Sequence, residues 1–216
     1  MGKFISHELT YRDGKGVQME TKVLETSRLV VRKAEADVDD VELLFELWTD
    51  PRVMTLVGFP HGLIINRQEI LADIKKSGKS VFNTYLIVER KGQEDSAVPA
   101  LEDRTRIGEC KLGAPDDHGV SETDVKLLPK YWGHGYGTEI KRALVYYLFR
   151  HTDCLFVQAT PNILNEASIR IQEAIGGKRV GEAVYEFPET MREFTSPVHH
   201  YIYRISREEW ERLQEK

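Results

Sequence analysis

Three glycines at alternate positions, Gly133, Gly135 and Gly137, separate a strand-like run ending at Leu128 from a helical run that continues to Phe149. Glycine lets the backbone turn tightly and lets a ligand approach with no Cβ in the way. A helix that begins there offers unpaired N–H groups and the positive end of its dipole. Such a loop suits an anion, and phosphate is the usual guest. A Walker loop requires Gly-Lys-Ser/Thr, and Gly137-Thr138 lacks the lysine. A Rossmann fingerprint requires GxGxxG after the first strand of a parallel unit, whereas this is GxGxG after consecutive strands. A tight turn with no ligand is the competing reading of the glycines alone.

The flanking patterns set the architecture. Residues 1–21 form a leader in which Asp13-Gly14 supplies the turn of an extra hairpin. The core domain spans 22–216. Lys22 to Arg32 reads as one strand rich in β-branched residues. Asp37 to Trp48 repeats Val41, Leu44, Phe45 and Trp48 at helical spacing, and Asn66 caps a second helix carrying Ile70, Leu71 and Ile74. Between them, 52–65 is a loop. Strands follow at 84–90, 106–112 and 120–128, with a polar loop over 91–105. The helix from Gly137 to Phe149 precedes a strand at 154–160, a helix at 165–175, and strands at 179–187 and 199–205. Consecutive strands form an antiparallel meander, and strand–helix–strand over 120–160 implies a parallel crossover. The expected fold is α/β (α+β), a mixed and mostly antiparallel sheet with helices on both faces.

Composition narrows the function classes. Thirty basic against 35 acidic side chains give a net charge of −5, which argues against nucleic-acid binding and favours a cationic acceptor. No run of about 18 apolar residues exists to span a membrane. The N-terminal residues lack the apolar core of a secretory signal, so a cytoplasmic location is expected. Cys110 and Cys154 sit in apolar, strand-like surroundings and read as buried reduced thiols. His151 and Cys154 without a second pair make no metal site, so no metal is expected.

The run Trp132-Gly133-His134-Gly135-Tyr136-Gly137-Thr138-Glu139 resembles the coenzyme A pyrophosphate loop of the GNAT superfamily of acetyltransferases. It is most similar to the branch of RimJ/RimL-like enzymes, which acetylate ribosomal proteins (at alanine, for example) and small amines. Asn165-Glu166-Ala167-Ser168 resembles that branch's Asn-x-x-Ser helix, and Leu24 to Arg32 resembles its opening L-x-T-x-R-L-x-L-R strand. The resemblance implies that the strand ending at Leu128 splays from the strand at Cys154 and that acetyl-CoA is the co-substrate. It implies that pantetheine pairs with backbone near Val125 and Leu127, and that amides from Gly133 through His134, Gly135, Tyr136 and Gly137 to Thr138 hold the pyrophosphate. Asn165 and Ser168 then contact the pantetheine arm or position the thiol, and Trp132 packs under the loop. One departure touches the chemistry: the tyrosine that many members use as general acid falls at Gln172 here.

Acetyl transfer to an amine needs the amine neutral, yet a lysine-like amine has a pKa of about 10.4. A carboxylate can take that proton directly or through water. Glu122, ten residues before Trp132, is the first candidate base. Asp124 shares its strand face and is the second, and Glu109 on the neighbouring strand is the third. Each reads equally as a solvated strand residue. Lys141 and Arg142 on the helix could reach a nucleotide phosphate, although most helix-surface cations are simply solvated. An oxyanion would be met by the backbone N–H of Val125 or Leu127. The leading expectation is an N-acetyltransferase in which a primary amine, on a protein N-terminus or a small molecule, attacks acetyl-CoA directly. The alternative is a coenzyme A-binding scaffold or sensor without turnover. The leader hairpin and last strand offer a homodimer contact.

Overall fold

A computed structural model describes residues 22–92 and 104–214. The leader hairpin and most of the loop at 91–105 lie outside the described residues. Eight strands form one sheet in the order β1-β2-β3-β4-β5-β6-β8-β7. They are β1 Lys22–Glu25, β2 Leu29–Lys33, β3 Leu86–Arg90, β4 Thr105–Leu112, β5 Val120–Leu127, β6 Phe156–Ala159, β7 Lys178–Tyr185 and β8 Val198–Ser206. All neighbours are antiparallel except β5 and β6, the pair joined by the helical crossover.

The expected single strand over Lys22–Arg32 is two strands. Thr26 turns the chain: its N–H donates to the Leu29 carbonyl at 2.9 Å and its Oγ1 accepts the Leu29 N–H at 3.0 Å. A short hydroxyl side chain that satisfies nearby backbone groups favours a turn over a continued ladder. β1 therefore folds back on β2, and the sheet gains an eighth strand.

The helices are α1 Val38–Thr49, α2 Pro51–Met54, α3 Arg67–Lys76, α4 Tyr136–His151, α5 Glu166–Ala174 and α6 Arg207–Gln214. Asp37 caps α1 by accepting from Asp40 N–H, and Asn66 with Glu69 closes a capping box on α3. The expected loop at 52–65 contains α2 and one 3-10 turn before it becomes irregular.

Each face of the sheet has its own core. On one, Leu29, Val31, Leu86, Leu112 and Leu127 meet Ile140, Leu144 and Leu148 of α4. On the other, Ile87 and Leu128 meet Leu44 and Leu47 of α1 and Ile70 of α3. A buried ion cluster pins α1 to the sheet. Arg32 reaches both oxygens of Asp40 at 2.7 Å and Glu89 at 2.8 Å, and Arg106 Nε reaches Asp40 at 2.7 Å.

Helix α6 has no counterpart in the sequence reading. Trp210 packs on Phe149 and Tyr146. Its first residue, Arg207, donates to the carbonyls of Phe149, Thr152 and Cys154 at 2.6, 2.6 and 3.0 Å, closing the end of α4. Both cysteines are buried free thiols. Among the described residues, no helix is long and apolar enough to cross a membrane.

Candidate active site

Strand β5 pairs with β6 only through Val120–Phe156, Ser121–Val157 and Glu122–Gln158. From Thr123 onward β5 stays with β4 alone, so a cleft opens between β5 and β6 and leads to the glycine loop. Gly133 and Gly135 take left-handed φ of 76° and 78°, a conformation strained for any side chain. Gly135 is the N-cap of α4 and provides no side-chain acceptor. Helices α1, α3 and α5 all have a side-chain N-cap; α4 leaves its first-turn amides bare at the end of the opened strand. These features fit an anionic ligand.

The loop is braced by residues that the sequence reading assigned no role. Arg28 donates to Glu139 through Nε at 2.7 Å and to the His134 carbonyl at 3.1 Å, and its guanidinium lies 4.6 Å from the Tyr136 ring centre. Thr26 Oγ1 donates to Glu139 at 2.5 Å. The Thr-x-Arg of the first turn and Glu139 of the loop are thus one contact. Burial alone raises the Glu139 carboxyl, but Thr26 and Arg28 outweigh it and hold it below the usual range. His134 is exposed and stacks on Tyr136 with its Nδ1 2.7 Å from the Trp132 carbonyl.

Some expected cofactor contacts already have partners within the chain. Trp132 is 46% exposed, and its indole donates to the Leu127 carbonyl at 2.8 Å. The Val125 N–H donates to Asp124 Oδ1 at 2.9 Å, so it meets an incoming oxyanion only after that carboxylate swings away. Asn165 Oδ1 accepts the Ser168 N–H at 3.0 Å, which makes this pair the N-cap of α5. Gln172 is buried.

Glu122, Asp124, Lys126, Glu109 and Lys111 share the face of the sheet that looks toward α1 and α3. Two adjoining clefts there, of about 540 and 440 Å³, share Asn83 and Lys111. The first holds Glu122 and Arg204; the second holds Trp48, Tyr85, Asp73, Glu109, Asp124 and Lys126. Asn83 sits at their junction with φ 56°, the single non-glycine residue in the left-handed region among the described residues.

The carboxylates differ in their partners. Glu122 accepts from Gln158 Nε2 at 2.9 Å, and Gln158 in turn accepts from Arg204 at 2.8 Å. Glu109 accepts from the Trp48 indole at 2.7 Å and lies 3.4 Å from Lys126. Asp124 is hydrogen-bonded to Lys126. The cleft walls remove water from Asp124, which raises its pKa, but Lys126 and then Lys141 overcome this and hold it at about 2. Lys141 is not a solvated helix cation as expected: it is 3% exposed and points at β5, where it donates to the Thr123 carbonyl and Oγ1 at 2.7 and 2.5 Å.

The fold has solved relatives. An acetyltransferase of the GNAT family from Bacillus anthracis is 23% identical, with a TM-score of 0.64, covering 85% of this chain and 98% of its own. Spermidine N-acetyltransferase from Vibrio cholerae, solved with CoA and spermine, is 16% identical with a TM-score of 0.64 over 86% and 99% of the two chains. Ribosomal-protein-S5-alanine acetyltransferase from Vibrio fischeri is 16% identical with a TM-score of 0.63 over 87% and 97%. Among curated proteins, no sequence matches the chain. The family profile of the acetyltransferase (GNAT) domain matches residues 28–178. With that profile spanning most of the sequence and the split sheet and uncapped glycine helix in place, the chain belongs to the GNAT acetyltransferase family.

Proposed function

We propose that this enzyme transfers the acetyl group of acetyl-CoA directly to a primary amine, and that it belongs to the RimJ/RimL-like branch, whose acceptors are protein N-termini and small amines. The observation that carries the reading is the bare first turn of α4 lying at the end of the opened strand β5. The amides of the Gly133–Thr138 loop would hold the pyrophosphate. Backbone of Val125 and Leu127 would guide the pantetheine arm, and α5, begun by Asn165 and Ser168, would flank it. Acetyl-CoA supplies the activated acyl group; the residues around it bind, orient and move protons.

The acceptor enters from the face that carries Glu122. In that cleft the carboxylates of Asp73, Glu109 and Asp124 outnumber the cations Lys111 and Lys126, and beside the aromatic walls of Trp48 and Tyr85 they suit a cationic head on an apolar or extended stem. Glu122 is the proposed base. It stands on β5 at its last pair with β6, is exposed, and is oriented by Gln158, so it can take the amine's proton directly or through water. Asp124 suits that task less well, because a carboxyl held at about 2 by Lys126 has little tendency to accept a proton near neutrality.

The test is thiol release from acetyl-CoA with spermine, kanamycin and an alanine-terminated peptide as acceptors. Turnover with any of them supports the reading. CoA binding by calorimetry with no turnover on any acceptor moves the protein to the scaffold reading, to which the buried Gln172 at the usual acid position would then belong. With an active acceptor in hand, Glu122→Gln is expected to lower kcat by about a hundredfold near neutral pH, as loss of a general base does. An unaltered pH–rate profile removes Glu122 from the role.

A further inference from the structure

Lys141 is engaged by neither the loop nor the acceptor clefts. Its ammonium holds two atoms of Thr123, the residue just past the last β5–β6 pair at Glu122–Gln158. Successive carbonyls of a pleated strand point to opposite sides. The Glu122 carbonyl accepts from Gly113 beside β4, so the Thr123 carbonyl faces the opening, and Lys141 stands at its apex. An ammonium has three N–H groups. Thr123 supplies two acceptors, which leaves one hydrogen for whatever enters the apex.

The position is costly for a cation. Ile140, Leu144, Val145 and Leu148 around it on α4 are all buried and apolar, and among the described residues no carboxylate is hydrogen-bonded to it. A buried charge without such a partner destabilises a fold. The charged and titratable groups that face it are Asp124 and Glu122 from β5, with Lys126 beyond Asp124, and Cys110 from β4. Strand β6, on the other side of the opening, carries no ionisable group.

We propose that Lys141 is the proton donor to the sulfur that leaves when the acetyl group is transferred. The inference rests on the acetyl-transfer reading above. The acceptor nitrogen forms a bond to the acetyl carbon while the carbon–sulfur bond breaks and its electron pair stays on sulfur. Lys141 gives that sulfur its free proton, Glu122 or water takes the proton lost by the amine, and solvent recharges Lys141 when the products leave. Burial draws the Lys141 ammonium down to about 8, against the opposing pull of Asp124, Cys110 and Glu122. A free thiol has a pKa of about 8.5, so donor and acceptor are closely matched, as efficient proton transfer requires. With Gln172 at the position where many GNAT members keep a tyrosine acid, this lysine fills the missing role.

The experiment titrates CoA itself, bound to the wild-type enzyme and to Lys141→Met, by thiolate absorbance. A cation beside the sulfur lowers the bound thiol's pKa by about one to three units relative to the variant. Equal titration in both, with CoA bound to both, overturns the role of Lys141 and leaves the loop assignment intact. No CoA binding to the wild type overturns the acetyl-transfer reading and this inference together. The pH–rate profile is the second readout. The wild type is expected to lose activity as pH rises through about 8, and Lys141→Met to lack that limb with kcat lowered about a hundredfold and KM for acetyl-CoA little changed. A variant that keeps the limb overturns the proposal. Methionine nearly matches lysine in volume and removes a buried charge, so the variant is expected to fold.

Discussion

Arg28 and Glu139, 111 residues apart in the chain, are joined by two guanidinium contacts, Nε to Oε2 at 2.7 Å and NH2 to Oε2 at 2.6 Å. The first belongs to the turn after β1 and the second to the first turn of α4, so the pair ties the edge of the sheet to the glycine loop. Thr26 completes the tie from the same turn.

Glu139→Ala frees Arg28 and the loop together. Hydrogen bonds to charged groups contribute about 1.5–3 kcal/mol each, and part of that loss falls on loop order, so CoA affinity is expected to drop at least about tenfold by calorimetry. Glu139 is held below its usual 4.5. Its stabilisation is therefore present above that pH and is lost as pH falls through the lower folded-state value. An unchanged dissociation constant separates the brace from the site.

Gly135→Ala tests the backbone itself. At φ 78° the nearest atom to an added Cβ is an Arg28 nitrogen at 3.6 Å, an ordinary contact, so the cost is conformational, about 1–2 kcal/mol. We expect a modest fall in melting temperature with a larger loss of CoA affinity. Equal loss at both would assign Gly135 to stability alone.

Asp40→Asn probes the buried ion cluster. Asp40 is fully buried and neutralises Arg32 and Arg106, and breaking such a cluster from one side costs about 3–5 kcal/mol. Urea denaturation should shift by that amount. Burial raises the Asp40 carboxyl, but the Arg32 contacts and the Glu35 amide outweigh it and hold it below 3.8. The contribution is thus complete above that pH and disappears under acid. A shift under about 1 kcal/mol would count against the cluster.

Lys141→Met is expected to stabilise the protein at pH 7. The folded ammonium titrates at about 8 against 10.5 when free. The unfolded chain therefore binds more protons between these values, and wild-type stability rises across that window. Below it, the buried charge costs on the order of 3 kcal/mol. Part of this is returned when the Thr123 carbonyl loses its donor, which leaves a net gain of about 1–2 kcal/mol. Thermal melts from pH 7 to 10.5 should converge for the two proteins; a constant gap would mean that Lys141 does not titrate there.

The glycine loop, the cap at Asn66 and the crossover at α4 were all legible in the sequence, because each depends on local backbone chemistry. What escaped was set at a distance. The break at Thr26 required knowing that its hydroxyl closes a turn, in a run whose composition favours a strand. Helix α6 is short, and it is held by Arg207 and Trp210 against α4, contacts made to residues far away in the chain. Lys141 was misread as solvated although a signal existed: Val145 and Phe149, four and eight residues on, are buried, so the lysine lies on a helix stripe that faces the sheet. Glu122 and Asp124 were rightly placed on one face, but only their partners, Gln158 and Lys126, set their different acid–base character.

The three residue pairs between β5 and β6 have a mechanical consequence. Among the described residues they are the ladder pairs that join five strands to three, and α4 is the strap across the joint. A guest lying along that seam would meet an edge of β5 on which Thr123, Val125 and Leu127 already bond to Lys141, Asp124 and Trp132, and by spanning it would act as a strut between two panels. Rigidity and turnover then oppose each other, since release of the spent carrier removes the brace.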